Sequence, residues 1–197
     1  MGKNYSKNGF RGINHYGDKM KKVFIGLLLL IFGISSVVAQ QQAVEISFDY
    51  TRLSGRASNQ FAVWVENAQG QYVKTLYATR WTARGGWSRR PTSIPIWVRR
   101  AGLSELTRAQ IDAISGATPR TGVLVFVWDG TDRRGVAVPS GDYVIFLEGT
   151  LRWENQVLFS APIRLGQGPS TPAVTVAYTG DAGDDRAMIR NVRVTVR

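Results

Sequence analysis

Val44-Glu45-Ile46-Ser47-Phe48-Asp49-Tyr50-Thr51 alternates apolar and polar residues without a break. A period of two puts Val44, Ile46, Phe48 and Tyr50 on one face of a strand and their neighbours on the other. The pattern continues outward. Residues 61–66 and 72–79 flank Asn67-Ala68-Gln69-Gly70 and read as a hairpin. Residues 123–128 are continuously apolar, which reads as a central strand covered on both faces. Asp129-Gly130-Thr131-Asp132 turns the chain, and residues 143–147 form a second fully apolar strand. Residues 156–165 and 173–179 are weaker strands, and Gly180-Asp181-Ala182-Gly183 reads as a hairpin turn. In the last strand Val192, Val194 and Val196 face one way, Arg193, Thr195 and Arg197 the other. Short strands separated by turn signals predict an all-β antiparallel sandwich.

One short helix interrupts the strands. Thr107 and Gln110 have the spacing of a capping box, and Leu106 and Ile111 that of a hydrophobic staple. The helix is expected from Arg108 to about Ile114, with Gly116 supplying the permissive backbone that ends it. Pro119 pushes Thr118 out of helical geometry. Thr118 is therefore expected on a tight loop between this helix and the strand at Val123.

The start of the chain reads as export machinery. Lys19, Lys21 and Lys22 precede an apolar run over 23–34, and Ser35-Ser36-Val37-Val38-Ala39 follows. That is the charged, apolar and small-residue order of a secretory signal peptide, with cleavage near Ala39. The run is short for a bilayer-spanning helix, which needs about 20 apolar residues. Met20 opens a normal signal, so residues 1–19 read as an upstream extension. The division expected is 1–39 for extension and signal, and 40–197 for one domain. Removing 1–39 takes away six basic residues and one acidic one, lowering the net charge from +11 to +6. The chain has no Cys, and its one His, His15, lies in the removed part. Disulfides, thiolate sites, Cys/His zinc sites and imidazole triads are thus excluded from the exported part. The chemistry left to its side chains is that of carboxylates and hydroxyls.

Asp112-Ala113-Ile114-Ser115-Gly116-Ala117-Thr118 has the form Asp-x-x-Ser/Thr-Gly-Ala-Thr. It resembles the acceptor motif of bacterial flavin transferases, which join the phosphate of FMN to the final threonine hydroxyl. Small residues at 116 and 117 leave room beside that hydroxyl, and Asp112 and Ser115 can bond nearby N–H groups and shape the loop. A wider resemblance runs from Phe61 to about Leu165, through Val63-Trp64-Val65-Glu66, Gly70 to Tyr77, and Trp87-Ser88-Arg89-Arg90-Pro91. Trp128-Asp129-Gly130-Thr131-Asp132 and Val138-Pro139-Ser140-Gly141-Asp142-Tyr143 continue it. These stretches are similar to a family of predicted periplasmic proteins of unknown function, whose genes often lie near flavin transferase and PepSY-type membrane reductase genes. The last two also resemble the immunoglobulin-like domain of flagellar hook-capping proteins. The resemblances imply an immunoglobulin-like sandwich in the periplasm, with FMN held covalently on Thr118 and Asp112, Ser115, Gly116 and Ala117 shaping its loop. They imply an electron carrier rather than an enzyme, with a flavin transferase and a PepSY-type or other membrane reductase as partners. In that scheme the flavin supplies the electron chemistry and the protein supplies position and electrostatics.

Between Glu66 and Glu105 no acidic residue occurs, while Lys74, Arg80, Arg84, Arg89, Arg90, Arg99 and Arg100 give a local charge of +7. Trp81, Trp87 and Trp97 lie in the same stretch. An indole among them could stack on a flavin ring, and Arg89 or Arg90 could neutralise its phosphate or reduced form. A basic, aromatic surface also suits an anionic envelope surface, and export argues against nucleic acid. Asp129 to Asp132, and Asp181, Asp184 and Asp185, read as turns rather than a calcium loop. The alternative function is a non-redox, immunoglobulin-like binding or assembly module of the envelope.

Overall fold

The computed structural model describes residues 1–3 and 42–197. The signal peptide expected before residue 40 lies outside the described residues. Nine strands are present among the described residues: β1 (Val44–Tyr50), β2 (Ser58–Asn67), β3 (Tyr72–Thr79), β4 (Ser115–Gly116), β5 (Gly122–Trp128), β6 (Gly141–Arg152), β7 (Asn155–Leu165), β8 (Thr175–Thr179) and β9 (Ile189–Val196). They form a three-stranded sheet, β5-β1-β9, and a six-stranded sheet, β4-β3-β2-β6-β7-β8. Every pairing is antiparallel except β3–β4. The protein is an all-β sandwich.

The core follows from strand periodicity. Val44, Ile46, Phe48 and Tyr50 are buried, and their neighbours on β1 are only half-buried. They meet Phe61, Val63 and Val65 of β2 and Ile145 and Leu147 of β6 in one apolar cluster. Aromatic rings bridge the sheets: Phe48 packs edge-on against Phe61 at 5.6 Å, and Tyr77 lies 5.1 Å from both Phe61 and Phe126.

The helical content exceeds the single helix expected. A π-helical turn (Thr82–Gly86) runs into α1 (Trp87–Arg89), followed by α2 (Pro95–Ala101), a 3-10 turn (Leu103–Glu105) and α3 (Arg108–Ala113). Pro95 at the first position of α2 and Gly102, left-handed at φ 61°, just past its end fix that helix. This insertion covers the second face of the six-stranded sheet and builds a second core around Trp64, Trp97, Ile94 and Leu103. Glu148 of β6, fully buried, accepts the Ile96 N–H at 3.0 Å and the Trp97 N–H at 2.7 Å, tying α2 to the sheet.

Two expectations are corrected. β5 is an edge strand, not a central one. Its Trp128 is buried and its Leu124 and Phe126 pack on the core, but Val123, Val125 and Val127 are 68%, 52% and 56% exposed. The helical insertion lies on the other sheet and leaves this outward row uncovered. Residues 180–183 do not close a hairpin, because β8 pairs with β7 in one sheet and β9 with β1 in the other. The connection crosses between sheets through a 3-10 helix, Gly183–Met188.

Candidate functional site

The threonine-bearing loop is suspended between α3 and β5. The expected cap is present: the Gln110 N–H donates to Thr107 Oγ1 at 3.3 Å, and the Thr107 N–H donates to Gln110 Oε1 at 2.9 Å. Leu106 and Ile111 both pack on the second core. The helix does not end on glycine. It stops at Ala113, and the chain turns extended so that Ser115 and Gly116 pair in parallel with Ala78 and Thr79 of β3. The Ala78 N–H donates to the Ile114 carbonyl at 2.9 Å.

Gly116 serves close approach rather than an unusual dihedral. A Cβ at that position would lie 2.6 Å from Tyr77 Cε2. Tyr77 in turn donates its hydroxyl to the Ala117 carbonyl at 2.6 Å. Burial pushes the Tyr77 hydroxyl up to about 12, although Arg80 opposes this, so it remains a donor across the physiological range. Asp112 forms an ion pair with Arg84 Nε at 2.6 Å. The hydrogen bond from Arg84 holds the Asp112 carboxyl below its ordinary value; slight burial opposes it, and the charges of Arg84, Arg108 and Arg80 add to it. On the far side of the loop Thr121 Oγ1 accepts the Arg52 N–H at 2.9 Å. Thr118 is half-buried and Ala117 exposed. Ser115 Oγ is buried with no hydrogen-bond partner.

Of the tryptophans expected near this loop, Trp97 is a correction. It is fully buried, with Nε1 donating to Thr75 Oγ1 at 2.8 Å, because α2 packs it into the second core. It cannot stack on a ligand at the surface. Trp81 is 40% exposed, but the Arg90 guanidinium sits 4.7 Å from its ring and Arg89 5.8 Å. Gly86 presses on the indole too closely to carry a Cβ. Trp81, Arg89 and Arg90 thus form a cluster of their own, in which Arg90 Nε is buried without a partner. Trp87 is placed differently. It lines a cleft of about 420 Å³ with Ala83, Arg84, Gly85, Arg108 and Ile111, along one side of α3.

The structure therefore unites Asp112, Ser115, Gly116 and Ala117 with two residues that sequence reading missed, Tyr77 and Arg84. Tyr77 lies 40 residues from Ala117 and Arg84 28 from Asp112. The β3–β4 pairing brings Tyr77 to the loop and the packing of the π-helical turn on α3 brings Arg84, and neither contact leaves a periodic signal in the sequence. Asp129, Asp132 and Asp185 of the acidic turns are each paired. Burial pushes the Asp129 carboxyl up, but Thr131 and Lys74 together hold it down at about 2. Asp132 accepts the Arg134 and Val136 N–H groups, and Asp185 pairs with Arg152. Among the described residues no group of three or more acidic, His or Cys side chains could hold a metal ion.

No curated protein matches the chain. A family profile described as "Predicted periplasmic protein (DUF2271)" matches residues 41–183. That span takes in the sandwich from β1 to β8, the helical insertion and the threonine loop, and the chain belongs to this family of predicted periplasmic proteins.

Proposed function

We propose that this periplasmic protein carries FMN through a phosphoester on Thr118 and moves electrons, and that a flavin transferase installs the group. The observation that carries the reading is the seven-residue motif on a held loop whose Ala117 is exposed and whose Thr118 is half-buried. In the loading step Thr118 Oγ1 bonds to the phosphorus of an activated FMN phosphate. The activating group departs with the electron pair of its bond, and the hydroxyl proton passes to a base of the transferase. When bound, the flavin supplies the electron chemistry.

The residues present fit such a group. Gly116 and Ala117 keep bulk away from Thr118, and Tyr77 and Arg84 fix the loop from two directions. Ser115 Oγ is a buried hydroxyl inside the motif without a partner, which a rearrangement of the loop on loading would satisfy. The cleft offers the Trp87 indole for ring stacking and Arg84 and Arg108 for negative charge. Trp81, with Arg90 over its ring, is the less accessible platform. A membrane reductase of PepSY type would be the electron partner. The test is coexpression with a flavin transferase, followed by denaturation. Flavin absorbance should stay with the unfolded wild-type chain and vanish in Thr118→Ala. Trp87→Leu should leave the flavin attached and brighten its fluorescence, since a stacked indole quenches it. Loss of all flavin from wild type on unfolding would leave the non-redox binding module as the surviving reading.

A further inference from the structure

We infer that the exposed edge of β5 is a self-association surface, and that a second copy of this chain pairs with it antiparallel to make a continuous six-stranded sheet. The inference is independent of the Thr118 reading. Among the described residues β5 is hydrogen-bonded on one side only, to β1. Natural sheets blunt such edges with charge, proline, bulges or shortness. The other edges show these devices. β4 has two residues, and β8 has five, with Arg186 lying 4.5 Å over its Tyr178 ring. β9 presents exposed Arg190 and Arg193 and is bridged by Ser170. β5 has seven residues, Gly-Val-Leu-Val-Phe-Val-Trp, with no charge, no proline and regular pairing throughout.

The occupant follows from the strand's own symmetry. A two-fold axis at Val125 sets Val125 opposite itself and Val123 opposite Val127, joining two exposed valine rows into one apolar band. Directly opposed β-branched pairs of this kind stabilise antiparallel sheets. The charges complement as well. Exposed Arg120 precedes the strand, and Asp129, paired with Lys74 yet with its side chain 61% exposed, follows it. Antiparallel pairing brings the Arg120 end of each copy to the Asp129 end of the other. Between those charged ends residues 122–128 carry no charge, so the seam sets no like charges face to face.

The test uses the chain exported with its own leader and purified from the periplasm. Sedimentation equilibrium should show a dimer. Val125→Lys, which sets two ammonium groups face to face, should raise its dissociation constant about tenfold or more. Val176→Lys on β8 should leave it unchanged. Because the chain has no Cys, Val125→Cys adds a single thiol, and mild oxidation should link two copies through it. Val176→Cys should not cross-link. Wild type that is monomeric at its highest soluble concentration overturns the inference. So does a dimer that Val125→Lys leaves intact, or one that cross-links as well through residue 176. Circular dichroism matching wild type confirms that each variant is folded.

Discussion

Tyr77 decides how firmly the threonine loop is held. It fills the space that a Cβ on Gly116 would need, and its hydroxyl is the only side-chain bond made to the Ala117 carbonyl among the described residues. Gly116→Ala should force ring and loop apart and cost about 1–3 kcal/mol, read as a lower urea midpoint. Tyr77→Phe removes the hydroxyl alone and should cost about 1 kcal/mol. Both should slow flavin loading while leaving the circular dichroism of the sheets intact. A second residue sets the pH response. Burial pushes the Glu148 carboxyl up from 4.5 to about 7, against the pull of the Trp97 and Ile96 N–H groups and Arg99. The folded protein therefore holds a proton that the unfolded chain has lost between those values. Stability should fall as pH rises through that window, by about 3 kcal/mol at most, and level off above 7. Glu148→Gln should flatten the fall. A midpoint for wild type that does not decline between pH 5 and 7 would remove this assignment.

At the scale of elements, α3 was legible because its signals are local. Thr107, Gln110, Leu106 and Ile111 all lie within six residues, and the capping box formed as their spacing requires. Thr107→Ala should cost about 1 kcal/mol and speed amide exchange of the first helical turn about fivefold, with little change elsewhere. β1 was legible for the same reason, since alternation needs no knowledge of neighbours. β5 was not. Residues 123–128 carry inward Leu124, Phe126 and Trp128 and outward valines, and an apolar run reads alike whether its outer face meets a layer or water. α2 had a signal that went unread, Pro95 at its first turn and Gly102 after its last. The neighbouring Gly85-Gly86 and Pro91 are turn-forming residues that mask a helical context.

Across the whole molecule the layers divide the work. The three-stranded sheet closes one core, the helical insertion closes the other, and the loop that joins insertion to β5 carries the motif. The insertion also explains the tryptophans. Trp64 and Trp97 are consumed as core, Trp81 is clamped by Arg90, and Trp87 remains at a cleft beside α3. A basic, tryptophan-rich stretch in the sequence could not reveal that division, because it depends on which face of the sheet the insertion covers. The placement of Thr118 itself was readable; its supports, Tyr77 and Arg84, depended on the fold. Covalent FMN on Thr118 is tested most directly by tryptic mass mapping of the chain coexpressed with a flavin transferase proven active on another acceptor. Cleavage after Arg108 and Arg120 yields one peptide, residues 109–120, that holds the entire motif loop. This peptide should carry one FMN, less water, with fragment ions placing it on Thr118 and not on Ser115. An unmodified peptide, or FMN on any other residue, would contradict the Thr118 assignment.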